Sequence, residues 1–199
     1  GFQEITRIDR LTGGANQDTY RIAFSAADGD KVVAMRRAAG GSTQQTSEEN
    51  IGLPNEARLM RLVNERAIPT PRVLFELQEH DELGAGFIMD WLSGETRGAR
   101  IARHEKFANL RQSLAYECGK VLAKIHAIDI VVCKLTEFLA ERTPESFVRD
   151  TWARYQALKT PQPMLDYTAQ WLLKHLPETS RRTLVHNDFR NGNLMVNAE

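Results

Sequence analysis

The chain has 199 residues, 42% of them apolar, and 26 Lys plus Arg balance 26 Asp plus Glu. That balance argues against nucleic acid as a partner, since a phosphate-tracking surface needs a basic excess. No apolar run reaches membrane-span length, the first residues lack a signal-peptide pattern, and Cys118 and Cys133 have no metal-ligand spacing, so a cytoplasmic globular protein with reduced thiols is expected.

In chain order, residues 5 to 37 read as strands. The stretch from Thr19 to Phe24 alternates, Asp28-Gly29-Asp30 is a turn signal, and Lys31 to Met35 is rich in β-formers, which predicts a hairpin with Gly13-Gly14 just ahead of it. Residues 38 to 52 are small and polar and read as a mobile loop. Pro54 is expected to open a helix to about Glu65, with Ala57, Met60 and Val63 as its apolar stripe and Ile68-Pro69-Thr70-Pro71 as its stop. Residues 72 to 77 and 85 to 90 form a second predicted strand pair, ended by Ser93-Gly94. Beyond residue 95 the pattern turns helical. Leu110, Leu114, Cys118, Val121, Leu122 and Ile125 share one face, and a second helical stretch from about 145 to 176 is broken by Thr160-Pro161-Gln162-Pro163. The predicted class is α+β, with a β-rich part with one helix over residues 1–92, a mostly helical part over 93–199, and a hinge at 90–95.

Several groups of residues could carry chemistry. Gly13 and Gly14 could let the backbone approach a phosphate, although two glycines before a strand also make an ordinary turn. Arg36 closes the run Val33-Ala34-Met35-Arg36 and could bind phosphate or a carboxylate; a surface strand ending in two arginines reads the same. Glu56, near the start of the predicted helix, could pair with Arg36 or simply complement the helix dipole. The segment from Phe87 to Gly94 could offer backbone groups to a flat heterocycle or serve as a linker. His126 reads as structural, and Trp152, Tyr155, Tyr167 and Trp171 as core. The cations Arg97, Arg100, Arg103, Lys106 and Arg111 read as a polar helix face. The last feature is His186-x-Asp188-x4-Asn193, set between the apolar triplets Thr183-Leu184-Val185 and Leu194-Met195-Val196. It has the spacing of a kinase catalytic loop, in which the Asp positions an attacking hydroxyl and the Asn holds magnesium.

Taken in order, GGANQDTYRI, NEARLMRLV with IPTPRVL, FIMDWLSGE, LAKIHAID and HNDFRNGNLMV resemble the aminoglycoside phosphotransferase and choline kinase-like family over nearly the whole chain. The likeness is nearest to the kinase domains found fused to acyl-CoA dehydrogenases. It implies a two-lobed protein-kinase-like fold and ATP-dependent phosphorylation of a hydroxyl on a small molecule. By that resemblance Asp188 orients the hydroxyl, Arg190 neutralises the transferred phosphoryl group and Asn193 binds Mg2+. Arg36 holds the ATP phosphates with Glu56 behind it, and Gly13 and Gly14 cover them. Asp90, Trp91 and Leu92 meet adenine by backbone, Ala34 and Met195 close on its faces, and His186 braces the loop. The family's second magnesium ligand, an Asp downstream of the Asn, has no counterpart before Glu199, so the 199 residues alone are expected to be inactive. A nucleotide- or partner-binding pseudokinase is the alternative. The basic cluster favours an anionic acceptor, such as a hydroxyacyl-CoA, over a polycationic aminoglycoside.

Overall fold

Alternation of side chains along the first forty residues produces three antiparallel strands, β1 (Phe2–Leu11), β2 (Gln17–Ala26) and β3 (Gly29–Ala38). The β2–β3 turn sits at Ala27-Asp28, and Gly29 follows with φ 111°, a left-handed value that a side chain would resist. The computed structural model describes residues 2–11, 17–42, 51–178 and 181–198. Gly13 and Gly14 lie outside the described residues, as does most of the predicted 38–52 loop.

Helix α1 (Gly52–Asn64) begins two residues ahead of Pro54. Pro54 still falls in the first turn, where a missing N–H leaves no helical hydrogen bond unmade. Strands β4 (Val73–Glu76) and β5 (Gly86–Asp90) complete a five-stranded sheet ordered β1-β2-β3-β5-β4. Register puts Arg36 opposite Thr19 on β2 and opposite Phe87 on β5, so these residues share one face of the sheet. On that face α1 lays Leu53 and Ala57 against Ala38 and Phe87, and Leu53, Ala57 and Phe87 are wholly buried. Met60, Val73 and Met89 pack at the margin of this cluster.

Two further helices follow the hinge, α2 (Gly98–Arg103) and α3 (Ala108–His126). In α3 all six residues of the predicted stripe are buried or half-buried, with Ile125 the most buried. The chain divides into two compact units, Gly1–Ile128 with Leu184–Glu199, and Asp129–Thr183. The expected boundary at residues 92 and 93 lies inside the first unit. The physical reason is pairing: Glu95 bridges to Val196, and the Gly192 N–H donates to the Thr96 carbonyl at 3.0 Å. The last segment therefore folds with the hinge exit.

The second unit carries α4 (Pro144–Ala157) and α5 (Pro163–Lys174). Asp166 joins them, accepting from Trp152 Nε1 at 2.7 Å and Tyr155 OH at 3.1 Å. Tyr167 and Trp171, expected in a core, are 64% and 48% exposed. Ala169 is the buried position of α5, and a residue two places away on either side is turned by about 200° from it. Trp171 stacks instead on His175, with ring centroids 4.2 Å apart. Among the described residues no helix is long and apolar enough to cross a membrane.

Candidate active site

The sheet and α1 bring together one cation and one acid. Arg36 Nη1 donates to Glu56 Oε1 at 2.6 Å, and Arg36 Nε donates to Gln17 Oε1. Gln17 also hydrogen-bonds the Glu56 side chain. Burial pushes the Glu56 carboxyl above its ordinary value, and the Arg36 charge and these two hydrogen bonds pull against that rise. Glu56 stands in the second turn of α1, because the helix starts earlier than its proline suggests.

Next to the pair, Ala34 is buried at 5% exposure, with Met89 opposite it on β5 and Arg21 opposite it on β2. The Arg21 guanidinium lies over the Trp91 ring, 5.5 Å from its centroid. Asp90 is gripped by Arg72, whose Nε and Nη2 donate to its two carboxylate oxygens at 2.7 and 3.2 Å, and this holds its carboxyl below the usual range. The Asp90 N–H donates to the Arg72 carbonyl at 3.0 Å. Of the three residues expected to face adenine, Asp90 thus has its donor committed within the protein. Gly94 admits Met195, since a Cβ there would lie 2.4 Å from Met195 Cγ.

The loop from His186 to Asn193 folds around Asp188. Asn187 takes φ 62°, the left-handed region that Asn tolerates better than most residues, and this turns the chain so that the Asp188 N–H donates to the His186 carbonyl at 2.8 Å. The His186 ring stands edge-on to Phe189, 5.4 Å between centroids. Asn193 Nδ2 donates both to the Asp188 backbone carbonyl, at 2.9 Å, and to its carboxylate, at 2.6 Å. Among the described residues the Asn193 oxygen meets no partner. Arg190 Nε donates to Asp188 Oδ1 at 2.7 Å; that bond, followed by the one from Asn193, holds the exposed Asp188 carboxyl below its ordinary value. Asp188 is accordingly a weak base and a good hydrogen-bond acceptor.

The predicted cationic face takes a different form. Arg97 caps α2 and Arg111 lies on α3, so the five cations do not share one helix. Arg97 and Arg100 pair with Glu95 at 3.2 and 3.1 Å, and Arg111 donates to the Ile101 and His104 carbonyls. Sequence reading passed over four residues that build the site. Glu95 anchors α2 by side chain and Val196 by backbone. Gly98 makes room for Asn191, as a Cβ there would lie 2.7 Å from Asn191 Nδ2. Asn187 and Gln17 complete the set. Only Asn187 carried a usable signal, as an Asn beside the motif Asp.

A model of the phosphotransferase enzyme family matches residues 7–199. The chain belongs to that family. Its fold is kinase-like, as its motifs implied. Mouse acyl-CoA dehydrogenase family member 10 is 26% identical over 206 residues, covering 100% of this chain and 18% of that protein. Mouse acyl-CoA dehydrogenase family member 11 is 22% identical over 202 residues, covering 96% of this chain and 24% of that protein. The chain therefore spans less than a quarter of the length of either curated relative. A solved structure, that of a "putative aminoglycoside phosphotransferase" from Ralstonia eutropha JMP134, superposes with a TM-score of 0.72 at 20% identity, covering 98% of this chain and 56% of that one. That likeness bears on the fold, and the five-stranded sheet with helices after the hinge agrees with it.

Proposed function

We propose that this family member transfers the γ-phosphoryl group of ATP to a hydroxyl of a small molecule. The observation that carries the reading is the double clamp of Asn193 Nδ2 on Asp188, which commits the Asn amide nitrogen and leaves its oxygen to a cation. In the reaction the acceptor oxygen forms a bond to the γ-phosphorus, the bond from that phosphorus to the bridging oxygen of ADP breaks, and the hydroxyl proton passes to the Asp188 carboxylate. Asp188 orients the hydroxyl by accepting its hydrogen bond. Proton transfer late in the reaction suits a carboxylate held below its ordinary value. Arg190 screens Asp188 from the incoming phosphate and is the nearest cation on the loop for the transferred group. Arg36 serves the α- and β-phosphates, with Gly13-Gly14 covering them. Ala34 and Met195 enclose the base, and Trp91 and Leu92 present backbone to its edge.

Mg2+ fits the donor set in a limited way. Asn193 offers one neutral oxygen, and the described residues contain no cluster of three or more His, Cys, Asp or Glu able to hold a metal. The ion would be carried largely by ATP oxygens, and when bound it would neutralise phosphate charge. For the acceptor we favour an anionic hydroxylated metabolite of the hydroxyacyl-thioester kind, supported by Arg103 and Lys106 and by the lack of excess negative charge in the chain. The test is ATP-dependent transfer by the intact protein, with and without Asp188→Ala, over hydroxyacyl thioesters and aminoglycosides. A loss of transfer of at least about a hundredfold in a folded variant is expected. Nucleotide binding with no transfer to any acceptor would favour the pseudokinase, and undiminished transfer by the variant would end the assignment of the loop.

A further inference from the structure

Arg36 occupies a place where a lysine would need one carboxylate partner and one phosphate. A guanidinium makes a different demand. It presents five N–H groups in a rigid plane, so its usefulness depends on which edge is held and which is left for the ligand. In this chain Nη1 is held by Glu56 and Nε by Gln17, and among the described residues Nη2 meets no partner.

Gln17 stands at the first position of β2 and pairs in register with Ala38. It lies two residues from Thr19, which faces Arg36, so Gln17 and Arg36 belong to the same face of the sheet. Its carboxamide is used from both ends. The oxygen accepts from Arg36 Nε, and the amide nitrogen is the group able to donate to Glu56. One neutral side chain thus ties together both members of the ion pair.

We infer that Gln17 is the positioning residue that allows an arginine to work as the phosphate-binding cation of this site, by holding Nε and turning Nη2 over to the nucleotide. The inference rests on the kinase reading and adds a residue dependence that the reading does not contain. A lysine at position 36 has a single ammonium on a flexible stem and no second edge to fix. The role of Gln17 therefore exists only while residue 36 is arginine. Glu56 sets a second consequence. Its hydrogen bond from Gln17 favours the ionised carboxylate, so loss of the amide moves the Glu56 titration further up.

The experiment is a double-mutant cycle in the intact protein with Gln17→Leu and Arg36→Lys, read as the dissociation constant of a non-hydrolysable ATP analogue with Mg2+. Gln17→Leu is expected to weaken binding about tenfold or more in the Arg36 protein, the size of a lost hydrogen bond to a charged group, and less than about twofold in the Arg36→Lys background. In steady state the KM for ATP should rise more than kcat falls. NMR titration of labelled glutamate should show Glu56 moving up in Gln17→Leu whether or not nucleotide binds. Equal losses in both backgrounds, or none in the Arg36 protein, would overturn the inference. If Gln17→Leu does not fold, Gln17→Asn, too short to span both partners, takes its place with the same outcomes. If the wild-type protein binds no nucleotide, the proposed function fails, and the Glu56 titration then decides alone whether Gln17 holds the pair.

Discussion

Gly98 offers a way to move the loop around Asp188 without touching any of its residues. It is the first residue of α2, and its φ is not left-handed, so Gly98→Ala introduces no backbone strain. On propensity alone the change would strengthen the helix by up to about 1 kcal/mol. The new Cβ would, however, lie 2.7 Å from Asn191 Nδ2 and 3.0 Å from both Asn191 Cβ and Cγ. Ordinary carbon contacts are about 3.5–4.0 Å, so Asn191 must retreat by roughly 0.5–1 Å. Overpacking of that kind costs about 1–3 kcal/mol, which offsets or outweighs the helix gain and leaves a net loss of up to about 2 kcal/mol, or a fall of at most several degrees in Tm. The effect on rate should be larger than the effect on stability. Asn191 sits between Arg190 and the Gly192 that bonds to Thr96, and displacing a positioned group by about 1 Å can cost about a hundredfold in turnover. The assay is kcat for phosphoryl transfer beside a thermal melt of the same preparation. Retention of kcat within about twofold would refute the claim that Gly98 sets the position of the loop.

Two further predictions concern the wall that holds Arg36. Phe87→Ala empties a fully buried site between β5 and α1 and should cost about 3–5 kcal/mol, read as a lowered urea midpoint, with Phe87→Leu much milder; a cost below about 1 kcal/mol would mean that α1 does not depend on this cluster. For Glu56→Gln the expectation concerns pH. The folded carboxyl titrates above the unfolded value of 4.5, so between those two values the native state binds the proton more firmly and stability falls as pH rises. Glu56→Gln removes that descent, and urea midpoints taken from pH 4 to 7 should flatten; an unchanged slope would show that the carboxyl is not held up by burial.

What could be read from the sequence divides along physical lines. Patterns set by local chemistry were readable. The alternation and turn of β2 and β3, the stripe of α3 and the proline break between α4 and α5 all fall where the residues put them. Pairings made over long sequence distances were readable only where a motif announced them. Arg36 with Glu56 was foreseen because the run Val33-Ala34-Met35-Arg36 has the form of a kinase strand whose cation pairs with a helix acid, but Gln17 was not, because a lone polar residue at a strand start has no periodicity to betray it. The compact units divide at other residues than the change in hydropathy, for a related reason. Hydropathy shows where the pattern changes, at about residue 95, and does not show that Glu95 pairs with Val196. Tyr167 and Trp171 mislead in the other direction, since helical spacing of aromatics predicts a buried face that two helices cannot provide for every side chain.

The bridge from Glu95 to Val196 joins residues about a hundred positions apart, and it sets an order of assembly. The β2–β3 hairpin closes over a two-residue turn, so it can form as soon as its residues are available. The loop around Asp188 takes its place only when the final segment returns to Glu95 and Thr96, and long closures of this kind are slow because chain entropy is lost before contacts repay it. A chain emerging from the ribosome would thus acquire its sheet, and with it the Arg36–Glu56 pair, well before the loop around Asp188 is in place. Under the proposed function, a nascent chain would present its phosphate-binding wall before it could turn a nucleotide over.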